Sequence, residues 1–373
     1  MKFFQSFASK WFRLLYPWGF AIGLLVSLGY NQVSPGNAAP EPEESPHKIY
    51  FPLVLNQEKD DLVLLGIYPK SYWQPMVPDA LEQEFHNVDA WSGKHLSLAG
   101  VFHSSNQYNT VSNMLPVIWD DGYTPFINLY VPASMSSILN GEQDSDIRRW
   151  AQDYLIFAQN GTRMAYVAPL QEMNYDAAVP YGSSNPEHYK QAFQRIRNIF
   201  DEVGVPPESI KWVFAPNGLS TEGWPPFESY YPGDDFVDIV SFSSYNFGFY
   251  PGIYIPWARW TTPEQTFTDY VERMRVMAPT KPVFIAQTGT SAYTAQNHYD
   301  AAAKNQWLID AYTLLAEMPG VRGILYYNDN LPNGYDAAFY RSGVEFTGYR
   351  EGVTNPAYHY VSPAELMESP LTP

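Results

Sequence analysis

The 373-residue chain contains no cysteine. That absence excludes a disulfide framework, a thiolate metal site, a thiol nucleophile and a lipidated cysteine. Positive charge is also scarce: 22 Lys and Arg stand against 39 Asp and Glu, a formal net charge of −17. Nucleic acids and acidic polymers need concentrated Lys and Arg, so the charge argues against them as partners and favours a neutral one. Only seven histidines occur, with no H-E-x-x-H or similar ligand spacing, so no metal and no cofactor is expected. No glycine-rich turn follows the first apolar run, which leaves a dinucleotide-binding open sheet without support.

Aromatic and apolar residues are plentiful. The chain is 45% hydrophobic, with 29 Tyr, 22 Phe and 11 Trp, the composition of a core-forming protein. Large rings either fill a big core or line a binding groove, and composition does not separate the two. At the N-terminus, Lys2, Lys10 and Arg13 precede the uncharged stretch "LLYPWGFAIGLLVSLGY" (14–30), and small residues follow near Ala38 and Ala39. This pattern predicts a secretory signal over residues 1–39. A retained anchor is the alternative, which Pro17 weakens. Removing residues 1–39 takes away three positive charges and moves the net charge from −17 to −20. Residues 40–59 continue as a Pro- and Glu-rich linker. The expected product is a secreted or cell-envelope monomer that touches a membrane only if the N-terminal segment is uncleaved.

After the linker one rhythm takes over. Apolar runs of strand length recur at 62–68, 96–102, 124–131, 163–170, 210–215, 237–242, 282–286 and 321–327. They are nearly continuous, as expected of strands covered on both faces. Helical spacing lies between them: Ile147, Trp150, Ala151, Tyr154, Leu155 and Ala158 share one face, as do Tyr189, Ala192, Phe193, Ile196, Ile199, Phe200 and Val203. Phe267, Tyr270, Val271, Met274, Met277 and Ala278 form a third such face. Asn185-Pro186 and Thr262-Pro263 are helix starts, the second completed by Gln265 as a capping box. Eight strands alternating with helices over residues 60–373 predict one α/β domain, a (β/α)8 TIM barrel.

In such a barrel the site is built at the C-terminal ends of the strands. Those ends carry His103, Gln171-Glu172-Met173-Asn174, Asn217, Ser244-Tyr245-Asn246, Gln287 and Asn328-Asp329. Tyr181, Trp224, Tyr250, Tyr254, Trp257, Trp260 and Tyr293 lie near them in sequence. Uncharged hydrogen-bonding groups beside stacking surfaces suit a polyhydroxylated neutral ligand such as a glycan. Each of Asn174, Asn217 and Asn246 also has a structural reading, satisfying backbone groups at a strand end. Asp234, Asp235 and Asp238 are expected to cap turns, and Asp144-Ser145-Asp146 to cap a helix rather than bind calcium. Trp257 and Trp260 serve equally well as core under a long loop. Glu172 is different: an acid ending an apolar strand has no inexpensive structural role.

The segments "PLQEMN" (169–174), "YYPGDDFVDIV" (230–240), "KPVFIAQTG" (281–289) and "KNQWLIDAYTLLAEMPGVRGILYYN" (304–328) resemble motifs of glycoside hydrolase family 26, the β-mannanase family, in the same order. The resemblance runs from about residue 60 to about residue 350. It implies a retaining glycosidase barrel acting on a neutral β-linked polysaccharide, with Glu172 as acid/base. It also implies that Tyr245 orients the nucleophile and that position 287 supplies it. Gln171, Asn174, Tyr181, Asn217, Trp224, Trp257 and Asn328 are the expected substrate contacts. Three departures stand out. The nucleophile position holds Gln287, Gln171 stands where the family has histidine, and Asp176-Ala177-Ala178 where it has tryptophan, with Tyr181 a partial substitute.

Retention needs two carboxyl groups about 5–5.5 Å apart. A neutral amide is a poor nucleophile, and losing the second carboxylate removes one source of a raised pKa at Glu172. Three readings follow: a glycan-binding barrel that no longer hydrolyses, hydrolysis by another route, or a likeness of fold alone. The second would use Asp329, Asp176 or Glu222 as an inverting base, or an acetamido group of the substrate held by Gln287. An envelope protein in which the barrel is only a spacer is the reading from another class.

Overall fold

Continuous apolar runs with little alternation can be satisfied only if both faces of each strand are covered, and closure of the sheet achieves this. The computed structural model describes residues 62–69, 78–108, 111–176, 179–251, 259–330, 334–341 and 343–373. The expected signal and linker, and the aromatic candidates Tyr254 and Trp257, lie outside the described residues. Strands β1 (Leu64–Tyr68), β2 (Leu98–Ser104), β3 (Thr124–Tyr130), β4 (Ala165–Pro169), β5 (Ile210–Phe214), β6 (Ile239–Ser243), β7 (Val283–Thr288) and β8 (Val321–Tyr327) form a closed parallel barrel. β8 pairs with β1 to complete the ring. The expected (β/α)8 fold is what the chain adopts.

Alternate residues point inward. Leu64, Tyr68, Leu98, Phe102, Phe126, Tyr166, Val213, Phe284 and Leu325 belong to one buried cluster, while the outward residues pack under the helices. Rings of this size fit because small residues face them: a Cβ at Gly100 would lie 2.7 Å from the Tyr68 ring, and one at Gly323 2.8 Å from that of Phe284. The C-terminal segment closes the end where the strands begin. Val361 N donates to Ser97 Oγ at 3.0 Å, Arg322 donates to the carbonyls of Thr372 and Pro373, and Leu366 joins the inner cluster.

Around the barrel lie α1 (Pro78–Ser92), α2 (Val111–Asp120), α3 (Asp144–Ala158), α4 (Pro186–Val203), α5 (Pro263–Met277) and α6 (Ala301–Glu317). Their buried faces are those the spacing predicts, apart from partly buried Leu155, Val203, Tyr270 and Met277. Asn185 caps α4, and Thr262 with Gln265 forms the capping box of α5. Asp144, expected as a cap, instead sits in the first turn of α3 and forms a bidentate pair with Arg195.

The expected alternation fails once. Between β5 and β6 the described residues hold no α-helix, only a 3₁₀ turn at Phe227–Tyr230. "APNGLSTEGWPPFESYYPGDD" (215–235) carries four prolines and three glycines, which a helix interior does not tolerate. Arg273 of α5 anchors this segment instead, bidentate to Glu228 and 4.1 Å over the Phe227 ring. No helix among the described residues is long and apolar enough to cross a membrane.

Candidate functional site

The chain leaves β4 through two left-handed residues that are not glycine, Leu170 and Glu172, each at φ +57°. Such a conformation costs on the order of 1–2 kcal/mol per residue and persists only where surrounding bonds enforce it. Here Leu170 N donates to Leu129 O at 3.0 Å and Glu172 N to Ala215 O at 2.8 Å, so the ends of β3 and β5 hold the kink. The Glu172 carboxyl accepts from Asn217 Nδ2 at 3.3 Å. Asn217 is itself clamped. Its N–H donates to Asn174 Oδ1 at 2.8 Å, and Asn174 Nδ2 returns bonds to Asn217 O at 2.8 Å and Ser220 Oγ at 3.1 Å. Asn174 is fully buried and therefore positions Asn217.

Glu172 is 8% exposed, and burial pushes its pKa up to about 7. The Ser243 hydroxyl, which has no other partner among the described residues, and the Asn217 amide hold the rise in check. Among the described residues no second carboxylate acts on it. Burial by itself therefore raises Glu172 to about 7, before any contribution that a neighbouring carboxylate would add.

Gln287 lies near the end of β7 and is 6% exposed. Its Oε1 accepts from Tyr245 Oη at 3.0 Å, and its backbone carbonyl accepts from Ser244 N at 3.0 Å. Nε2 is left with no protein partner among the described residues. Ser243, beside the Glu172 carboxyl, is in register with Gln287 across β6 and β7, which brings the acid and the amide to one mouth of the barrel. Behind Gln287, Tyr68 donates to Ala286 O at 2.8 Å and accepts from Asn128 Nδ2 at 2.8 Å, tying β1 and β3 to β7. Charge on Glu172 opposes ionisation of both Tyr68 and Tyr245, after the larger effect of burial.

Several expected contacts have other roles. Tyr181 is fully buried against Tyr130 and donates to Gln171 Oε1 at 3.1 Å, so it offers no stacking face in place of the missing tryptophan. Asn328 is 1% exposed and its amide bonds the backbone of Phe339 and Tyr340, which makes it a brace for the loop after β8. Trp224 is half-buried in the loop after β5, and Trp260 packs against the core. His103 accepts from Trp150 Nε1 at 2.8 Å and burial lowers it to about 4, so it is a neutral imidazole. Asp329 pairs with Arg341, Asp176 accepts from Thr221 Oγ1 at 3.1 Å, and Glu222 is exposed; none of them acts on Glu172. Asp238 accepts from Trp212 N and Asp234 from Tyr231, in keeping with their structural reading. Tyr68, Asn128 and Ser243 escape sequence reasoning, although a polar Asn128 inside "TPFINLYV" is the kind of signal that finds such a group.

Residues 173–258 match the profile of Glycosyl hydrolase family 26, a segment that includes Tyr245 but neither Glu172 nor Gln287. Endoglucanase H of Acetivibrio thermocellus is 30% identical over 181 residues, which are 47% of this chain. The chain spans only 18% of the length of that curated relative. Among solved structures, the GH26 domain of an endo-beta-mannanase/endo-beta-glucanase from Prevotella bryantii is similar, with a TM-score of 0.55 at 13% identity over 83% of this chain and 93% of that one. A beta-mannanase from a symbiotic protist of the termite Reticulitermes speratus, complexed with gluco-manno-oligosaccharide, gives 0.55 at 15% identity over 82% and 90%. A Cellulomonas fimi endo-beta-1,4-mannanase double mutant gives 0.59 at 13% over 82% and 74%. At these identities the likeness is one of fold.

Proposed function

We propose that the chain is a member of glycoside hydrolase family 26 that engages a neutral β-linked polysaccharide outside the cytoplasm without cleaving it by double displacement. The observation that carries this is the hydrogen bond from Tyr245 to Gln287 Oε1, made beside an acid that burial keeps protonatable. The support for an attacking group is intact, while the group itself is an amide. A carboxamide oxygen forms no stable glycosyl ester and lends little charge to an oxocarbenium ion, so the first step of retention has no nucleophile.

What remains suits binding. Tyr245 takes one end of Gln287, so Nε2 is the end left to donate to a sugar oxygen. Glu172 donates a proton in a hydrogen bond below about pH 7 and only accepts above it. The ligand class follows from the relatives, which include a mannanase crystallised with gluco-manno-oligosaccharide and an endoglucanase, and from a net charge of −17 that disfavours anionic polymers. The test is affinity of the unmodified protein for mannan, glucomannan, β-1,3-xylan and β-glucan, with reducing ends counted in the same samples. Saturable binding to one of these polymers with no new reducing ends is expected. Cleavage that Glu172→Gln abolishes would assign the chemistry to another carboxylate or to the substrate.

A further inference from the structure

Lys304, on α6, is fully buried, a rare state for an ammonium group. Its three N–H donors meet three successive carbonyls in the segment after β8: that of Asp336, that of Ala337 at 3.2 Å and that of Ala338 at 3.1 Å. Nζ also lies 3.9 Å from the Asp336 carboxylate and 4.3 Å from the centroid of the Phe346 ring. Burial pulls its pKa down to about 7 against the attraction of Asp336. A buried charge is expensive unless what it organises offsets the desolvation.

What it organises leads to the candidate site. The Asp336 carboxylate accepts from Ser291 Oγ and from Ala292 N at 2.9 Å, which joins the segment after β8 to the one after β7. Tyr326 Oη strengthens the same seam, donating to Ala337 O at 2.7 Å and accepting from Thr290 N at 3.1 Å. Tyr335 and Ala337 close over Gly289, two residues beyond Gln287. A Cβ at Gly289 would lie 3.1 Å from Tyr335 Oη and 3.3 Å from both Ala337 Cβ and Tyr245 Cδ1. Tyr335 and Tyr245 meet edge to face at 6.3 Å. Tyr245 is the residue that fixes the Gln287 amide.

We propose that Lys304 is a positioning residue for the ligand site, holding residues 335–338 against Gly289 so that Tyr245 keeps the Gln287 amide in one orientation. The proposal rests on the reading of Gln287 as a ligand-binding group, but its first test does not. In protein labelled with ¹⁵N at glutamine, the side-chain amide of Gln287 is assigned by its loss in Gln287→Glu. With no glycan present, Lys304→Met is expected to shift or broaden that resonance while circular dichroism shows a folded barrel. Lys304→Gln, which keeps two N–H donors for the carbonyls, is expected to move it less, and it carries the test if the methionine variant does not fold. Glycan affinity should then fall about tenfold or more in Lys304→Met. A lysine that merely stabilises the fold would lower the melting temperature and leave the Gln287 resonance unmoved in both variants, and that result would overturn the proposal. If the resonance moves but no variant binds glycan, the positioning role stands and the functional reading fails.

Discussion

The two sides of the barrel mouth carry different chemistry on equally complete supports. On the β4–β5 side, Glu172 retains an acid's chemistry and all that tunes it: a strained backbone, an asparagine clamp and a buried carboxyl. On the β7 side the supports are equally complete, with Tyr245 on the side chain and Tyr68 on the strand behind it, but they hold an amide. Scaffold and reactive atom are therefore separable. Because burial sets the pKa of Glu172, the acid half does not need the other half to remain an acid. On the proposed reading, that independence lets an amide stand at position 287 while Glu172 remains an acid.

The largest effect should come from recoupling the halves. With Gln287→Glu, a carboxylate beside Glu172 adds like-charge repulsion and should carry the pKa of Glu172 above about 7. The alkaline limb of a pH–rate profile on glucomannan reads this shift. Adding Glu172→Gln to that variant should reduce turnover at least about 10³-fold, since the first proton transfer then lacks its donor and the second its acceptor.

Next in size is the burial of charge at Glu172. A carboxyl raised from 4.5 to about 7 binds more protons folded than unfolded, so it lowers stability as pH rises through that window. Glu172→Gln removes this penalty. It is expected to stabilise the protein by about 2–3 kcal/mol more at pH 8 than at pH 5, measured by denaturant unfolding at both. A pH-independent difference would mean the carboxyl is not buried as described.

Smaller effects probe the supports. Tyr245→Phe leaves Gln287 Oε1 without its donor and should weaken glycan binding about tenfold, with little change in melting temperature. Asn174→Ala opens the clamp on Asn217 and should destabilise by about 1–2 kcal/mol while lowering affinity only a few-fold. Tyr181→Phe should have the smallest effect on affinity, because its ring is sealed from the ligand and only a bond to Gln171 is lost.

The comparison also marks what sequence makes legible. Strand-length apolar runs, their spacing, and an acid and an amide at two strand ends are local signals, and each sits where the pattern put it. The missing helix between β5 and β6 was written in the prolines and glycines of 215–235, but a count of alternating elements passes over it. Whether a side chain near the site faces the ligand is not local. Tyr181 and Asn328 have the right chemistry at the right height, yet one is sealed against Tyr130 and the other braces residues 339–340. Tyr68, Asn128 and Lys304 act through partners more than 30 residues away, a pairing that only the closed barrel creates.

The proposal that Gln287 is what keeps this site from hydrolysis has one direct test. The direct measurement is release of reducing ends from glucomannan by the unmodified protein and by Gln287→Glu, at equal concentration and matched melting temperature. None above background is expected from the first and clear turnover from the second, in line with that proposal. Equal rates from both proteins, or turnover that Gln287→Glu abolishes, would contradict it.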